Sequence, residues 1–170
     1  QRQMCIRDST NRAADNIRIL AASMVEKAKS GHPGGAMGGA DYINVLYSQF
    51  LNFDPDDMTW ANRDRFFLDP GHMSPMLYSV LALSGKFTLD ELQQFRQWGS
   101  VTPGHPEVDV MRGIENTSGP LGQGHTYAVG AAIAAKFLKA RLGEEVMNQT
   151  IYAYISVSYT HLRAQETSQD

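Results

Sequence analysis

Cysteine is nearly absent from this sequence, with Cys5 alone among 170 residues. A single thiol excludes an intramolecular disulfide framework and a cysteine-based zinc site, and it is typical of a reducing compartment. Long apolar runs are missing too, since no uncharged stretch approaches the roughly 18 residues of a membrane-spanning helix. No apolar signal segment opens the chain. We therefore expect a cytoplasmic protein that does not bind a membrane.

Positive charge is also scarce. The chain has 15 Lys and Arg against 18 Asp and Glu, which gives a formal charge of -3 at pH 7. Such a balance provides no basic field for a nucleic-acid backbone, so we expect no nucleic-acid partner. With 42% hydrophobic and 19% charged residues, the composition is that of a soluble globular domain and not of a disordered chain.

The two ends of the chain differ from its middle. Residues 1–9 and 157–170 are polar and show neither a helical stripe nor strand alternation. We expect both segments to be tails foreign to the domain, which would cover residues 10–156 and whose natural sequence would continue past Ser156. Thiol chemistry is not expected, because the cysteine lies in the first tail.

Helical periodicity dominates the first part of the middle region. Apolar residues at the 3.6-residue spacing predict a helix that Thr10 caps and Gly31 ends. A glycine-rich turn over residues 31–39 leads to a second predicted helix over residues 41–51. Further along, Ser74 is the predicted N-cap of a helix that reaches about residue 83.

Local signals predict the remaining elements. Thr88 and Glu91 have the capping-box spacing of another helix. An irregular loop is expected over residues 103–117, and an alanine-rich helix over residues 121–142. Two strands, over residues 65–68 and 149–156, complete an α/β pattern with a parallel sheet flanked by helices.

Histidines follow glycines with unusual regularity. Four of the five histidines have a glycine directly before them, and they are His32, His72, His105 and His125. Glycine allows a sharp turn and the close approach of a ligand, so each pair presents an imidazole from a turn. One such histidine would more often be a structural loop residue, but the four together favour a binding site.

Other chemistries are less well supported by the motifs. The histidines lack the short spacings of zinc ligands, and no HExxH occurs. A hydrolase nucleophile elbow, GxSxG, is absent, as are GxGxxG and the GxxxxGK[ST] phosphate loop. The glycine-rich string GPLGQG, residues 119–124, opens the alanine-rich helix. Its backbone N–H groups could bind an anion or allow close packing.

Four strings in one order carry a resemblance to a known family. KSGHPGG, ANRDRFFLDPGH, TPGHPEV and TSGPLGQG closely resemble the N-terminal part of the transketolase family, and the resemblance covers about residues 10–156. It implies part of a thiamine-diphosphate-binding domain, an α/β fold with a parallel sheet flanked by helices and helix-rich in this portion.

The resemblance also implies roles for individual residues. His32 matches the histidine that lies over the substrate, and His105 matches the one that contacts the donor sugar. His72 matches the histidine near the cofactor's diphosphate, and all three count as catalytic. Gly119 and Leu121 match residues that line the cofactor.

The implied activity is that of the parent family. Its members move a two-carbon ketol unit from a ketose phosphate to an aldose phosphate in the pentose phosphate pathway, using thiamine diphosphate and Mg²⁺, and act as homodimers. Imidazoles suit this chemistry, because they exchange protons with hydroxyl groups near neutral pH. His125 matches no catalytic residue of the family, so we expect it to be structural.

One departure from the family is plain in the sequence. The family's strand corresponding to residues 151–156 runs into a Gly-Asp-Gly metal motif, which this chain does not contain. The resemblance therefore places the Mg²⁺ ligands outside this chain. We expect the chain alone to be catalytically inactive and, with apolar faces uncovered, prone to self-association.

Two alternatives to a truncated transketolase stay open. The same motifs fit the N-terminal portion of a two-chain transketolase or of dihydroxyacetone synthase. A catalytically silent packing or dimerisation fragment is the alternative of a different class.

Overall fold

A computed structural model describes residues 2–155, with side chains from residue 11 onward. Six α-helices and two strands occur in this range, together with one π-helical and two 3-10 turns. In chain order they are α1 (Arg2–Ala28), α2 (Pro33–Gly38), α3 (Ala40–Val45), the π-helical turn Leu46–Phe50, β1 (Arg65–Leu68), the 3-10 turn Gly71–Met73, α4 (Ser74–Leu83), α5 (Leu89–Gln93), the 3-10 turn Val110–Arg112, α6 (Gln123–Leu142) and β2 (Ile151–Tyr154).

The two strands pair in parallel, as the sequence predicts. Arg65 lies opposite Ile151 and Leu68 lies opposite Tyr154. The last three residues of β1 are buried, which explains its continuous apolar run. The second strand is shorter than predicted, and the end of the predicted range at Ser156 lies outside the described residues. A helix-rich α/β architecture with a parallel sheet is thereby confirmed.

Helix α4 lies at the centre of the core. All its residues from Ser74 to Leu81 are buried, and α1, α2, α3 and α5 all pack against it. The predicted stripe of α1 faces this core, since Ile17 and Ala21 have no exposed surface. Burial of such side chains is the main favourable contribution to folding.

Three predictions about the first helices are wrong. α1 already begins at Arg2, so Thr10 lies inside the helix and is not its cap. The same helix ends at Ala28, before the predicted Gly31. Within the predicted glycine-rich turn, α2 forms, because Pro33 in its first turn supplies a helical φ and Ala36 is buried.

Of the two predicted helix caps, the one on α5 is present and the one on α4 is not. The capping box of Thr88 and Glu91 is present, with each residue bonded to the backbone of the other. Ser74 is not an N-cap, because it is the first residue of α4 and its hydroxyl donates to the Gly104 carbonyl at 2.8 Å. A tertiary partner has replaced the local one.

The loop over residues 103–117 is irregular, apart from the short 3-10 turn, and it is fastened to β1. Asn116 binds the backbone of Leu68 in both directions, with its side-chain oxygen accepting and its nitrogen donating at 3.2 Å. A buried ion pair between Arg63 and Glu115, at 2.7 Å, holds the same loop to the segment before β1. These contacts fix the loop beside the carboxyl end of the strand.

Helix α6 begins two residues later than predicted and is buried only at Gly124 and Ala128. It packs on both strands, and its apolar residues Ile133 and Phe137 are mostly exposed. None of the helices in residues 2–155 is long and apolar enough to cross a membrane.

Candidate active site

The chain makes a tight turn directly after β1. Asp69 and Pro70 lead into the 3-10 turn that contains Gly71 and His72. A Cβ at Gly71 would lie 2.9 Å from Ser118 Oγ and 3.0 Å from His105 Cδ2. Only glycine permits this approach, so the turn and the loop that carries His105 lie in direct contact. Ligands of parallel α/β sheets bind at this end of the strands.

The three predicted catalytic histidines meet at this turn. The ring centroids of His32 and His72 are 5.2 Å apart, in an edge-on arrangement. His32 has an extended backbone directly before α2, which directs the chain into the cluster. His105 reaches the same place from the irregular loop, through its contact with Gly71. Residues more than 70 positions apart in sequence therefore form one group of imidazoles.

Partial burial and neighbouring groups lower the pKa of two of these rings, His72 and His105. Partial burial, followed by the neighbouring His32 and His105, lowers the pKa of the His72 ring. Partial burial also lowers the pKa of His105, with smaller contributions from the Arg96 guanidinium and from His32. A neutral imidazole has one nitrogen that donates and one that accepts, so each ring can take a proton from a hydroxyl group or give one.

The site has two walls. The first is the turn after β1 that carries His72, and the second is the segment of Ser118 and Gly119, which lies shortly before α6. Ser118 is buried, and its hydroxyl oxygen has no hydrogen-bond partner among the described residues. Next to it, Gly119 faces open space, since a Cβ there would meet no atom within 4 Å. Leu121 is 46% exposed. A polar group without a partner beside open space is typical of a site that binds a polar ligand.

Arg96 is a site residue that the sequence did not indicate. Its backbone has a φ of 62°, its guanidinium Nη1 donates to Ser30 Oγ at 3.0 Å, and it lowers the pKa of His105. Together with His105 it lines an open groove of about 1080 Å³. No local motif marks this arginine, because its partners come from distant segments.

His125 contacts the residue that begins the turn after β1. Its backbone N–H donates to Asp69 Oδ1 at 3.2 Å, and its ring Nδ1 lies 3.3 Å from Asp69 Oδ2. Sequence patterns alone did not single out Asp69. Its partner lies 56 residues away, so only the fold brings the pair together.

The described residues contain no group of three or more His, Cys, Asp or Glu side chains that could hold a metal ion. What the arrangement can do is bind polar groups and exchange protons with them.

Comparison with known proteins gives a consistent result. Residues 9–166 match the family described as "Transketolase, thiamine diphosphate binding domain". A transketolase of Geobacillus stearothermophilus is 51% identical over 145 residues, which cover 83% of this chain and 22% of that protein. One from Staphylococcus aureus (strain MRSA252) is 48% identical over 147 residues, or 86% of this chain and 22% of that protein.

Solved structures show the same similarity in three dimensions. Transketolase from Leishmania mexicana superposes with a TM-score of 0.84 at 42% identity, covering 88% of this chain and 23% of that one. Transketolase from Campylobacter jejuni gives a TM-score of 0.82 at 46% identity, with 86% and 23% coverage.

The chain thus spans about a fifth of the length of the curated relatives it matches. The histidine turns and the glycine-rich string lie within the matched region. This chain therefore belongs to the transketolase family and corresponds to part of its thiamine diphosphate binding domain.

Proposed function

We propose that this chain forms part of the thiamine diphosphate site of a transketolase. The observation that carries the proposal is the convergence of His32, His72 and His105 at the carboxyl end of β1. Gly119 and Leu121, which precede α6, would line the cofactor from the opposite side. The whole enzyme would transfer a two-carbon ketol unit between sugar phosphates.

The residues present fit the cofactor. The unpartnered Ser118 hydroxyl and the open space at Gly119 leave both room and a polar contact for it. His72 would hold the diphosphate end, because negative charge beside a ring favours its protonated form and offsets the lowered pKa. When bound, thiamine diphosphate supplies a nucleophilic carbon and accepts the electron pair of the broken carbon–carbon bond.

His32 and His105 would bind the sugar. Several transketolase structures of Pichia stipitis similar to this chain were solved with sugar phosphates, among them sedoheptulose-7-phosphate and fructose-6-phosphate. Imidazoles hydrogen-bond sugar hydroxyls and exchange protons with them near neutral pH. We therefore assign donor binding and proton transfer to these two rings.

The remaining features of the proposal come from the family alone. Mg²⁺ would be the second cofactor, with ligands other than the residues described. A homodimer, a cytoplasmic location and a place in the pentose phosphate pathway belong to the same proposal.

A chimera provides the test. Residues 10–155 of this chain would replace the matching segment of the Geobacillus stearothermophilus transketolase, which is 51% identical. We expect the chimera to bind thiamine diphosphate and to transfer ketol units. His72→Ala should weaken cofactor binding by calorimetry, because it removes the group at the diphosphate end.

His105→Ala should act differently in the same chimera. The KM for the donor sugar should rise by about tenfold or more while cofactor affinity changes little, since one charge-assisted or neutral hydrogen bond is lost in the sugar site. Asp57→Asn, on an exposed loop, is the control. A folded chimera that fails to bind thiamine diphosphate would overturn the proposal, and loss of cofactor binding in His105→Ala would overturn the role of His105.

A further inference from the structure

Helix α6 begins without a capping side chain of its own. The residue before it is Gly122, which has a φ of 94° and no side chain to offer. The first N–H groups of a helix need acceptors, and Ser, Thr, Asp or Asn at this position usually supplies one. Here the acceptor comes from another element, because Asp69 Oδ1 accepts the N–H of His125, in the first turn of α6, at 3.2 Å.

The close packing of the two segments makes this contact possible. A Cβ at Gly124 would overlap the Cα of Asp69 and lie 2.9 Å from its Cβ and backbone nitrogen. The glycine therefore lets the helix start come against the end of β1. Asp69 itself has no exposed surface, and a negative charge at a helix N-terminus is favourable.

The second carboxylate oxygen of Asp69 is held by the same histidine. His125 Nδ1 lies 3.3 Å from Oδ2, and the side chain of His125 is only 18% exposed. With the carboxylate of Asp69 ionised it can only accept, so the geometry favours a ring hydrogen on Nδ1 of His125. The backbone nitrogen of Asp69 donates to the Tyr154 carbonyl at 3.1 Å. One residue therefore links β1, β2 and α6.

The contact lies between the two walls of the candidate active site. Asp69 leads directly into the turn of Gly71 and His72, and α6 directly follows the segment of Ser118 and Gly119. These walls already touch, because Gly71 packs against Ser118. A shift of α6 relative to β1 would separate them.

We propose that Asp69 and His125 are a pair of positioning residues, in which Asp69 caps α6 from the end of β1 and the imidazole of His125 fixes the carboxylate, so that the two walls of the site hold their spacing before any ligand binds. The benefit to cofactor binding rests on the proposed function. The helix cap and its effect on the spacing of the walls do not depend on the proposed function. Prearranged walls spare a ligand the cost of ordering them.

The first test is the tautomer of His125 in the full 170-residue chain. Nitrogen NMR at pH 8 should show a hydrogen on Nδ1. In Asp69→Asn, the amide nitrogen can donate to the ring, so the hydrogen should move to Nε2 while the oxygen still caps the helix. A wild-type ring with its hydrogen only on Nε2 would overturn the proposal, since a carboxylate has no hydrogen to donate.

The second test measures the cap itself. In Asp69→Leu the amide hydrogen of His125 should exchange about fivefold faster, the ratio that corresponds to a typical lost cap. Asp69→Asn retains an acceptor and should exchange almost as slowly as the wild type. Equal rates in all three chains would overturn the proposal.

The third test separates positioning from simple stability. In Asp69→Leu and His125→Leu, the pH titration midpoint of the His72 ring should rise toward that of a free histidine, because the loosened wall admits water. Thr88→Ala removes a cap of similar size from α5 and should leave the His72 midpoint unchanged. If all three variants move His72 equally, or none does, the pair does not position the site.

These readouts require no cofactor, so they are independent of the proposed function. In the chimera, Asp69→Leu should weaken thiamine diphosphate binding by about fivefold, while Thr88→Ala should not. NMR results as expected in a chimera that binds no cofactor would overturn the proposed function and leave the positioning pair standing. An unchanged affinity in a chimera that does bind would overturn the role of the pair in the site.

Discussion

Helices α4 and α6 are both rich in apolar residues, yet their surroundings are opposite. In α4 every residue from Ser74 to Leu81 is buried, because helices pack around it on several sides. In α6, twice as long, only Gly124 and Ala128 are buried. The neighbours of a helix therefore decide its burial, and apolar composition alone does not.

Truncating one aliphatic side chain in each helix should give the greatest difference in stability. Leu81 in α4 has no exposed surface, whereas Ile133 in α6 is 65% exposed. Leu81→Ala should lower the free energy of unfolding by about 2–5 kcal/mol, because it leaves a cavity in a packed core. Ile133→Ala should change it by less than about 0.5 kcal/mol. Urea unfolding followed by circular dichroism gives both values.

Equal losses from these two variants would contradict the comparison. They would mean that α6 is as well covered in solution as α4, by a second copy of the chain or by another segment. Running the measurement at several protein concentrations would reveal a second copy.

A smaller effect is expected where α6 does touch the sheet. Gly124→Ala places a methyl group against the backbone of Asp69, and such overpacking costs about 1–3 kcal/mol. Gly130→Ala is the matched control on the same helix, since nothing lies within 4 Å of its Cβ position. It should be neutral or stabilising, because alanine favours the helix. If Gly124→Ala and Gly130→Ala had equal free energies of unfolding, the close contact between α6 and Asp69 would be refuted.

A third variant tests a cap that belongs to its own helix. Thr88 and Glu91 close the start of α5 with two reciprocal bonds, whereas α6 depends on the distant Asp69. Thr88→Ala should cost about 1 kcal/mol, measured by thermal unfolding. Thr88→Ser retains the hydroxyl and should lose much less. A cost shared equally by both substitutions would point to the methyl group and not to the cap.

The smallest effect on stability is expected on the exposed face of α6. Replacing Ile133 and Phe137 together with Gln should leave the free energy of unfolding within about 0.5 kcal/mol, because both side chains are mostly in water. The same change should reduce self-association, which an exposed apolar surface promotes. Sedimentation velocity measures it, with Lys136→Gln as the control. Unchanged self-association would mean that the chains associate through a surface other than this face of α6.

Elements that depend on near neighbours in sequence were predictable. The capping box of α5 involves residues three apart, and the apolar run of β1 is continuous. Both could therefore be predicted from the amino-acid sequence alone. Ser74 shows the limit, because its hydroxyl prefers a carbonyl 30 residues away to the start of its own helix. The short helix after Pro33 was missed because glycines there mask the helical pattern.

The residues of the candidate site also fall into those that a local pattern predicts and those that depend on distant partners. Glycine before histidine marks a turn locally, and those turns indicated His32, His72 and His105. Asp69 and Arg96 were missed, because each acts through partners far along the chain. Asp69 lies within one of the four quoted strings, but nothing in that string indicates its partner His125. The contact of Gly71 with Ser118 likewise exists only once the fold has joined the two segments.

Parallel pairing of the two strands also means that β1 is synthesised well before its partner strand β2. Arg65 pairs with Ile151, 86 residues later in the chain, so the pairing cannot begin until that whole length has been made. At roughly 5–20 residues per second, a ribosome needs about 4–17 s for it. Throughout this interval the nascent strand β1, with Phe66, Phe67 and Leu68, lacks its partner and can template pairing with other chains.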